Sequence, residues 1–150
     1  MANKPLTEKK VTDAPILVSD YMTKKLVTFT EEQSILEVME VFASNHISGG
    51  PVVDSRGAIS GIISEADCMK QISESRYFNM PILEKSVATY MTKEVETIDF
   101  DKSIFDAASI FAKNGRRRLP VIDAKGKLVG QISRKDVVIA ALKLTGINYK

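Results

Sequence analysis

The sequence predicts a mixed α+β fold built from one unit given twice. Three observations carry that expectation: a gapless internal repeat, paired apolar runs joined by Asp-x-x-Gly, and amphipathic stretches opened by serine. VSDYMTK at 18–24 returns as VATYMTK at 87–93, and GPVVDSRGAISGIISEAD at 50–67 returns as LPVIDAKGKLVGQISRKD at 119–136. The offset is 69 residues in both cases (87 − 18 and 119 − 50). Residues 18–69 laid on 87–138 match at 19 of 52 positions, where unrelated segments of average composition would match at roughly three.

Each copy reads as strand, helix, strand, strand, helix. LVTF at 26–29 has the composition of a short strand. Ser34 then opens a helix whose Ile35, Val38, Met39 and Phe42 share one face, with Glu37 placed to complete a capping box. The second copy keeps Ser103, Ile104, Ala107, Ala108 and Phe111 at the same places. The apolar runs 51–53 and 58–64 are joined by Asp54-Ser55-Arg56-Gly57, and Asp123-Ala124-Lys125-Gly126 repeats the joint. Glycine there supplies the positive φ that a tight hairpin needs. Further helices follow Ser64 and Ser133, the second running to a glycine stop at Gly146. Residues 70–86 continue the helix after Ser64 and then cross over, with Pro81 as the break.

The chain thus divides into an N-terminal segment (1–17), repeat 1 (18–75), a linker (76–86) and repeat 2 (87–145). A unit of about 50 residues buries too little surface to stand alone, so the two are expected to pack together.

Composition narrows the function classes. With 21 basic and 19 acidic residues the net charge is +2, so no global field favours nucleic acid or a membrane surface, and any basic site is local. A single cysteine, Cys68, and a single histidine, His46, give no zinc-like cluster and no intramolecular disulfide. Cys68 is expected to be buried and inert, and His46 to sit at a helix end. No apolar run has the length of a signal peptide or a membrane span, which makes the expected location cytoplasmic. There is no nucleophile paired with a base and no phosphate-loop consensus, so neither catalytic residues nor a metal are expected.

A tandem β-α-β-β-α unit with YMT at its start, the strand PVVD or LPVID, and G-x-x-S-x-x-D at its end resembles a pair of CBS domains, the arrangement called a Bateman module. The resemblance runs from about Val18 to about Leu144. It implies two repeats related by a pseudo-two-fold axis in one module. It also implies adenine nucleotides (AMP, ADP or ATP) or S-adenosylmethionine held in clefts between the repeats, a homodimer, and regulation of a separate target protein of unknown identity.

The resemblance places Gly61, Ser64 and Asp67, and again Gly130, Ser133 and Asp136, around ribose and phosphate. Elementary chemistry agrees: a helix N-terminus presents unpaired N–H groups to a phosphate, a carboxylate accepts from vicinal ribose hydroxyls, and glycine keeps the strand clear for a ligand. Ser-x-x-Asp is equally a helix cap, although aspartate replaces the more usual glutamate. Thr28 and Thr97 fall where the family contacts adenine, and are otherwise ordinary β-formers. Met22 and Met91 suit either the core or an adaptable pocket for a flat base. Arg116, Arg117 and Arg118 stand where the first copy has Ile47, Ser48 and Gly49, so the scaffold does not require them. Some family members carry a basic residue just before the Leu-Pro strand, which points to Arg117 and Arg118 as phosphate ligands; a solvated basic loop is the other reading. The competing function is a ligand-free scaffold or dimerisation unit in which Ser-x-x-Asp only caps helices.

Overall fold

The computed structural model describes residues 15–78 and 83–146, so the expected break at Pro81 lies outside the described residues. The elements in chain order are α1 (Val18–Tyr21), α2 (Ile35–Asn45), β1 (Gly49–Val53), β2 (Ile59–Ser64), α3 (Glu65–Glu74), α4 (Val87–Tyr90), β3 (Ile98–Asp99), α5 (Ile104–Asn114), β4 (Arg118–Ile122), β5 (Leu128–Ser133) and α6 (Arg134–Leu144). The fold is α+β, as the patterning predicts. All four longer helices start at the predicted serines, and each carries a reciprocal capping box: Ser34 with Glu37, Ser64 with Asp67, Ser103 with Asp106 and Ser133 with Asp136. The hairpin glycines have the required positive φ, 83° at Gly57 and 81° at Gly126, and Gly146 ends α6 at φ 86°.

The chain forms two compact units, and they are not the two repeats. One comprises residues 25–96 with 126–128, the other residues 1–24, 97–125 and 129–150. Each YMT segment belongs to the unit built mainly from the other repeat. In the first-repeat unit β1 pairs antiparallel with β2, and the core is Phe29, Ile35, Val38, Phe42, Val52, Ile63 and Cys68, closed by Val87 and Tyr90. The rings of Phe29 and Phe42 meet nearly at right angles, with centroids 5.5 Å apart. In the second-repeat unit the sheet order is β3-β4-β5, and Val18 closes a core of Ile98, Ala107, Phe111, Leu119, Val121 and Ile132.

The exchanged segments also complete helix ends. The first N–H groups of a helix lack intrahelical partners. Ile35 N donates to Lys85 O (3.0 Å) and Leu36 N to Leu83 O (3.1 Å), while Ile104 N donates to Ile16 O (2.8 Å).

The strand expected at 26–29 shrinks to a single bridge, Phe29 beside Val52. Phe29 N donates to Pro51 O (2.9 Å) and Val53 N to Phe29 O (2.8 Å). Extending this parallel ladder upstream would need an N–H on Pro51, which proline lacks. Pro120 imposes the same limit on β3, which begins at Ile98 opposite Val121.

Candidate functional site

The sequence-predicted residues fall into groups within each unit. At the start of α3 the Ser64 N–H and Oγ both donate to Asp67 Oδ2 (2.9 and 3.0 Å), and Asp67 N donates back to Ser64 Oγ (3.4 Å). Asp67 Oδ1 lies 3.6 Å from Lys70 Nζ. At the start of α6 Ser133 N donates to Asp136 Oδ2 (2.8 Å), and Asp136 N to Ser133 Oγ (3.2 Å).

Capping is therefore present at both motifs, and aspartate in place of glutamate does not set them apart. Ser103 and Asp106 make the same box at α5, with Ser103 N donating to Asp106 Oδ2 (3.0 Å). Those bonds hold the Asp106 carboxyl below the ordinary aspartate range. Burial does distinguish them. Asp67 is 4% exposed and Asp136 half-buried, whereas Glu37 and Asp106 are exposed. The buried Asp67 carboxylate is compensated by the two bonds from Ser64 and by the Lys70 ammonium.

Gly61 and Gly130 acquire a packing reason. A Cβ on Gly130 would lie 2.6 Å from Met22 Sδ and 2.9 Å from Thr23 O; one on Gly61 would lie 2.8 Å from Met91 Sδ and 2.9 Å from Thr92 O. The space beside each glycine is filled by the methionine of a YMT segment. The following threonine bonds reciprocally to the strand: Thr23 N to Gln131 O (2.8 Å) and Gln131 N to Thr23 O (2.9 Å), with Thr92 and Ile62 doing the same. Methionine and glycine each recur at the 69-residue offset, but the pairings join residues 108 and 30 apart (130 − 22 and 91 − 61), so repetition alone does not signal them.

Thr28 is exposed, one residue before the Phe29 bridge. Thr97 is half-buried and lines a cavity of about 340 Å³ with Asp99, Lys102, Asp106, Ser109 and Ile110. That cavity includes none of Ser133, Asp136, Arg117 or Arg118. Arg117 and Arg118 are exposed, and the structure brings them to the opening of α6: Arg134 N donates to Arg117 O (3.0 Å), and Arg134 Nε to Arg116 O (2.6 Å). The arginines thus adjoin the Ser-x-x-Asp motif of their own repeat. Sequence reasoning missed Arg134 and Lys135, which lie inside that motif.

Cys68 is buried as expected; burial, with the charges of Asp67 and Glu65, pushes its thiol up and keeps it protonated. His46 caps α2 in the left-handed region at φ 54°. Gln71, 3% exposed, has a side-chain oxygen without a hydrogen-bond partner, where the second repeat has Ala140. Among the described residues no group of histidine, cysteine, aspartate or glutamate is arranged to hold a metal, and no helix is long and apolar enough to cross a membrane.

The duplicated elements and their motifs meet a known family twice over: the CBS domain model matches residues 18–74 and 87–143. The chain belongs to the CBS domain family. An uncharacterised protein of Methanocaldococcus jannaschii is 31% identical, over 85% of this chain and 92% of its own length. The chloroplastic CBS domain-containing protein CBSX1 of Arabidopsis thaliana is 32% identical over 85% of this chain, which spans 64% of that protein. Among solved structures, the CBS-pair protein CBSX2 from Arabidopsis thaliana superimposes with a TM-score of 0.73 at 29% identity, covering 87% of this chain and 97% of that one. A structure of CBSX2 in complex with AMP has a TM-score of 0.72 at 29% identity, covering 87% and 98%. The CBS domain pair of a protein named MJ0100, in complex with 5′-methylthioadenosine and S-adenosyl-L-methionine, has a TM-score of 0.66 at 27% identity, covering 83% and 94%. The chain is thus a tandem CBS module of the Bateman type.

Proposed function

We propose that this chain is a non-enzymatic regulatory module that binds an adenosyl ligand of the AMP, ADP or ATP class at its Ser-x-x-Asp helix openings and acts on a separate protein. The observation that carries the reading is the burial of Asp67 and the partial burial of Asp136 at two duplicated helix N-termini, in contrast to the exposed Glu37 and Asp106 at the caps of α2 and α5. Complexes of CBS pairs with AMP and with adenosyl thioether and sulfonium compounds support the ligand class. Ser64 and Asp67, with Ser133 and Asp136, would face ribose and phosphate, the space beside Gly61 and Gly130 being occupied by Met91 and Met22; Arg117 and Arg118 would take phosphate oxygens, and Thr28 and Thr97 the base.

The module would work as a homodimer. Leu36 and Met69 are 51% and 52% exposed, and the matching positions of the second repeat, Phe105 and Val138, are 62% and 57% exposed. The same two helix positions are thus apolar and open in both repeats, as a self-complementary interface requires. A ligand would regulate through different affinities for two arrangements of the module.

Thermal unfolding with AMP, ADP, ATP, S-adenosylmethionine and GTP tests the reading. A bound ligand at about 100 times its dissociation constant stabilises the native state by roughly 2.7 kcal/mol. An adenosyl ligand should raise the wild-type midpoint, and Asp67→Ala/Asp136→Ala should abolish the rise. A wild-type midpoint unmoved by every ligand, with no copurified nucleotide found by mass spectrometry, favours the scaffold alternative.

A further inference from the structure

The helix faces of the two units differ in shape and in charge. α2 lies beside α3 in one unit, and α5 beside α6 in the other. Between α2 and α3 is a cavity of about 240 Å³ lined by Met39, Phe42, Ala43, Cys68 and Met69, with Glu65 as its one charged residue. The second-repeat unit projects an apolar knob instead. Phe105 is the most exposed large apolar side chain among the described residues. Two more exposed apolar residues, Ile16 and Leu17, are tied to the same helix start: Leu17 bridges Ser103, and Ile16 O receives Ile104 N at 2.8 Å. The first repeat has Lys85 and Ser86 at the matching positions, so its copy of this edge is polar.

Charge divides in the same way. α2 and α3 hold five acids (Glu37, Glu40, Glu65, Asp67 and Glu74) and one base (Lys70), a balance of −4. α5 and α6 hold four bases (Lys113, Arg134, Lys135 and Lys143) and two acids (Asp106 and Asp136), a balance of +2. These charges border the open apolar positions. Glu40 follows Leu36 by four residues, Glu65 precedes Met69 by four, and Lys135 precedes Val138 by three; such helix neighbours have Cβ atoms about 5–6 Å apart.

Building on the homodimer reading above, we propose that two copies pair head to tail: the α5–α6 face of one protomer packs on the α2–α3 face of its partner, with Phe105 as the anchor in the partner's groove. A two-fold operator then forms the same contact twice. Pairing each face with its own copy would oppose −4 to −4 and +2 to +2, whereas pairing unlike faces brings the basic rim of one to the acidic rim of the other. Shape selects the same arrangement. Phe105 with Ile16 and Leu17 supplies the apolar projection, and Met39 and Met69 give the groove side chains that adapt to a ring.

Cross-linking reads the orientation. Met69→Cys and Phe105→Cys chains, oxidised with copper phenanthroline, should form no disulfide-linked dimer when each is alone and should form one when mixed. Wild type, whose thiol at Cys68 is buried, is the control and should stay unlinked. In sedimentation equilibrium Phe105→Ala should weaken the dimer roughly tenfold or more, the scale of a buried aromatic anchor. Added salt should weaken the wild-type dimer, and so should Glu40→Lys or Lys135→Glu, both at exposed positions, because each reduces attraction between unlike faces. Thermal melting of every variant separates lost pairing from lost folding. Links in the separate samples, with dimers that salt and Glu40→Lys strengthen, overturn the orientation and leave the homodimer standing. A dimer in which no sample links overturns the pairing of these faces, and a monomer overturns the homodimer as well.

Discussion

Tyr21 and Tyr90 occupy the same place in the two repeats and meet opposite charges there. The Tyr90 hydroxyl donates to the Glu74 carboxylate, whereas the residue matching Glu74 is Lys143, whose Nζ lies 5.5 Å from the centroid of the Tyr21 ring. Tyr21 instead donates to Pro15 O at 2.7 Å. The hydrogen bond to Glu74, burial and the nearby carboxylate charge together push Tyr90 up to about 12 from an ordinary 10.0. A native state that holds this proton more tightly than the unfolded chain gains stability that is complete below the unfolded value of 10.0 and is lost as pH rises through about 12. Urea midpoints measured between about pH 9 and 12 should therefore fall with a steeper slope in wild type than in Tyr90→Phe. Equal slopes would show that the proton is not coupled to folding.

At the scale of elements, the YMT segment and the strand behind it form one joint. Met22 occupies the space beside Gly130, and the Thr23 carbonyl lies close enough that an added methyl cannot be met by moving the methionine alone. Gly130→Ala should lower stability by about 1–3 kcal/mol, the range for overpacking, and Gly130→Ala/Met22→Ala should recover only part of it because the backbone contact remains. Chemical denaturation of the single and double variants measures both; full recovery in the double variant would remove the backbone from the account. Much at this scale was legible. Serine caps, hairpin glycines and amphipathic faces are local signals, and each produced the element it predicts. The short strands were overread because the decisive atom is the missing N–H of Pro51, on the partner strand rather than on residues 26–29. The four-residue helices α1 and α4 are too short to leave a periodic signature. For the candidate site, the motif residues stand out in the sequence by repetition, whereas the bond from Arg134 to Arg116 O joins residues 18 apart and leaves no local signal.

For the whole molecule, the exchange of opening segments makes the repeat a unit of sequence and not of packing. Val18, fully buried, closes the core built from the second repeat, and Val87, also fully buried, closes that built from the first. Residues 126–128 likewise group with the first-repeat unit, where Leu128 N donates to Gly57 O at 3.0 Å. Duplication alone suggests two halves that could each fold once given a partner surface. The exchange says more: a fragment 1–82 lacks Val87 and Tyr90 from its core and the carbonyls of Leu83 and Lys85 from the start of α2. A fragment 83–150 lacks Val18 and the Ile16 carbonyl that receives Ile104 N. Either fragment would expose apolar surface and leave buried backbone N–H groups unpaired, in a unit already near the lower size limit for independent folding. Each alone should show no cooperative thermal transition by circular dichroism, and an equimolar mixture should regain one. Steep melting of a monomeric fragment by itself would mean that the exchanged segments decorate cores that are complete without them. Recovery only on mixing would mean that neither unit is complete without the opening segment supplied by the other repeat.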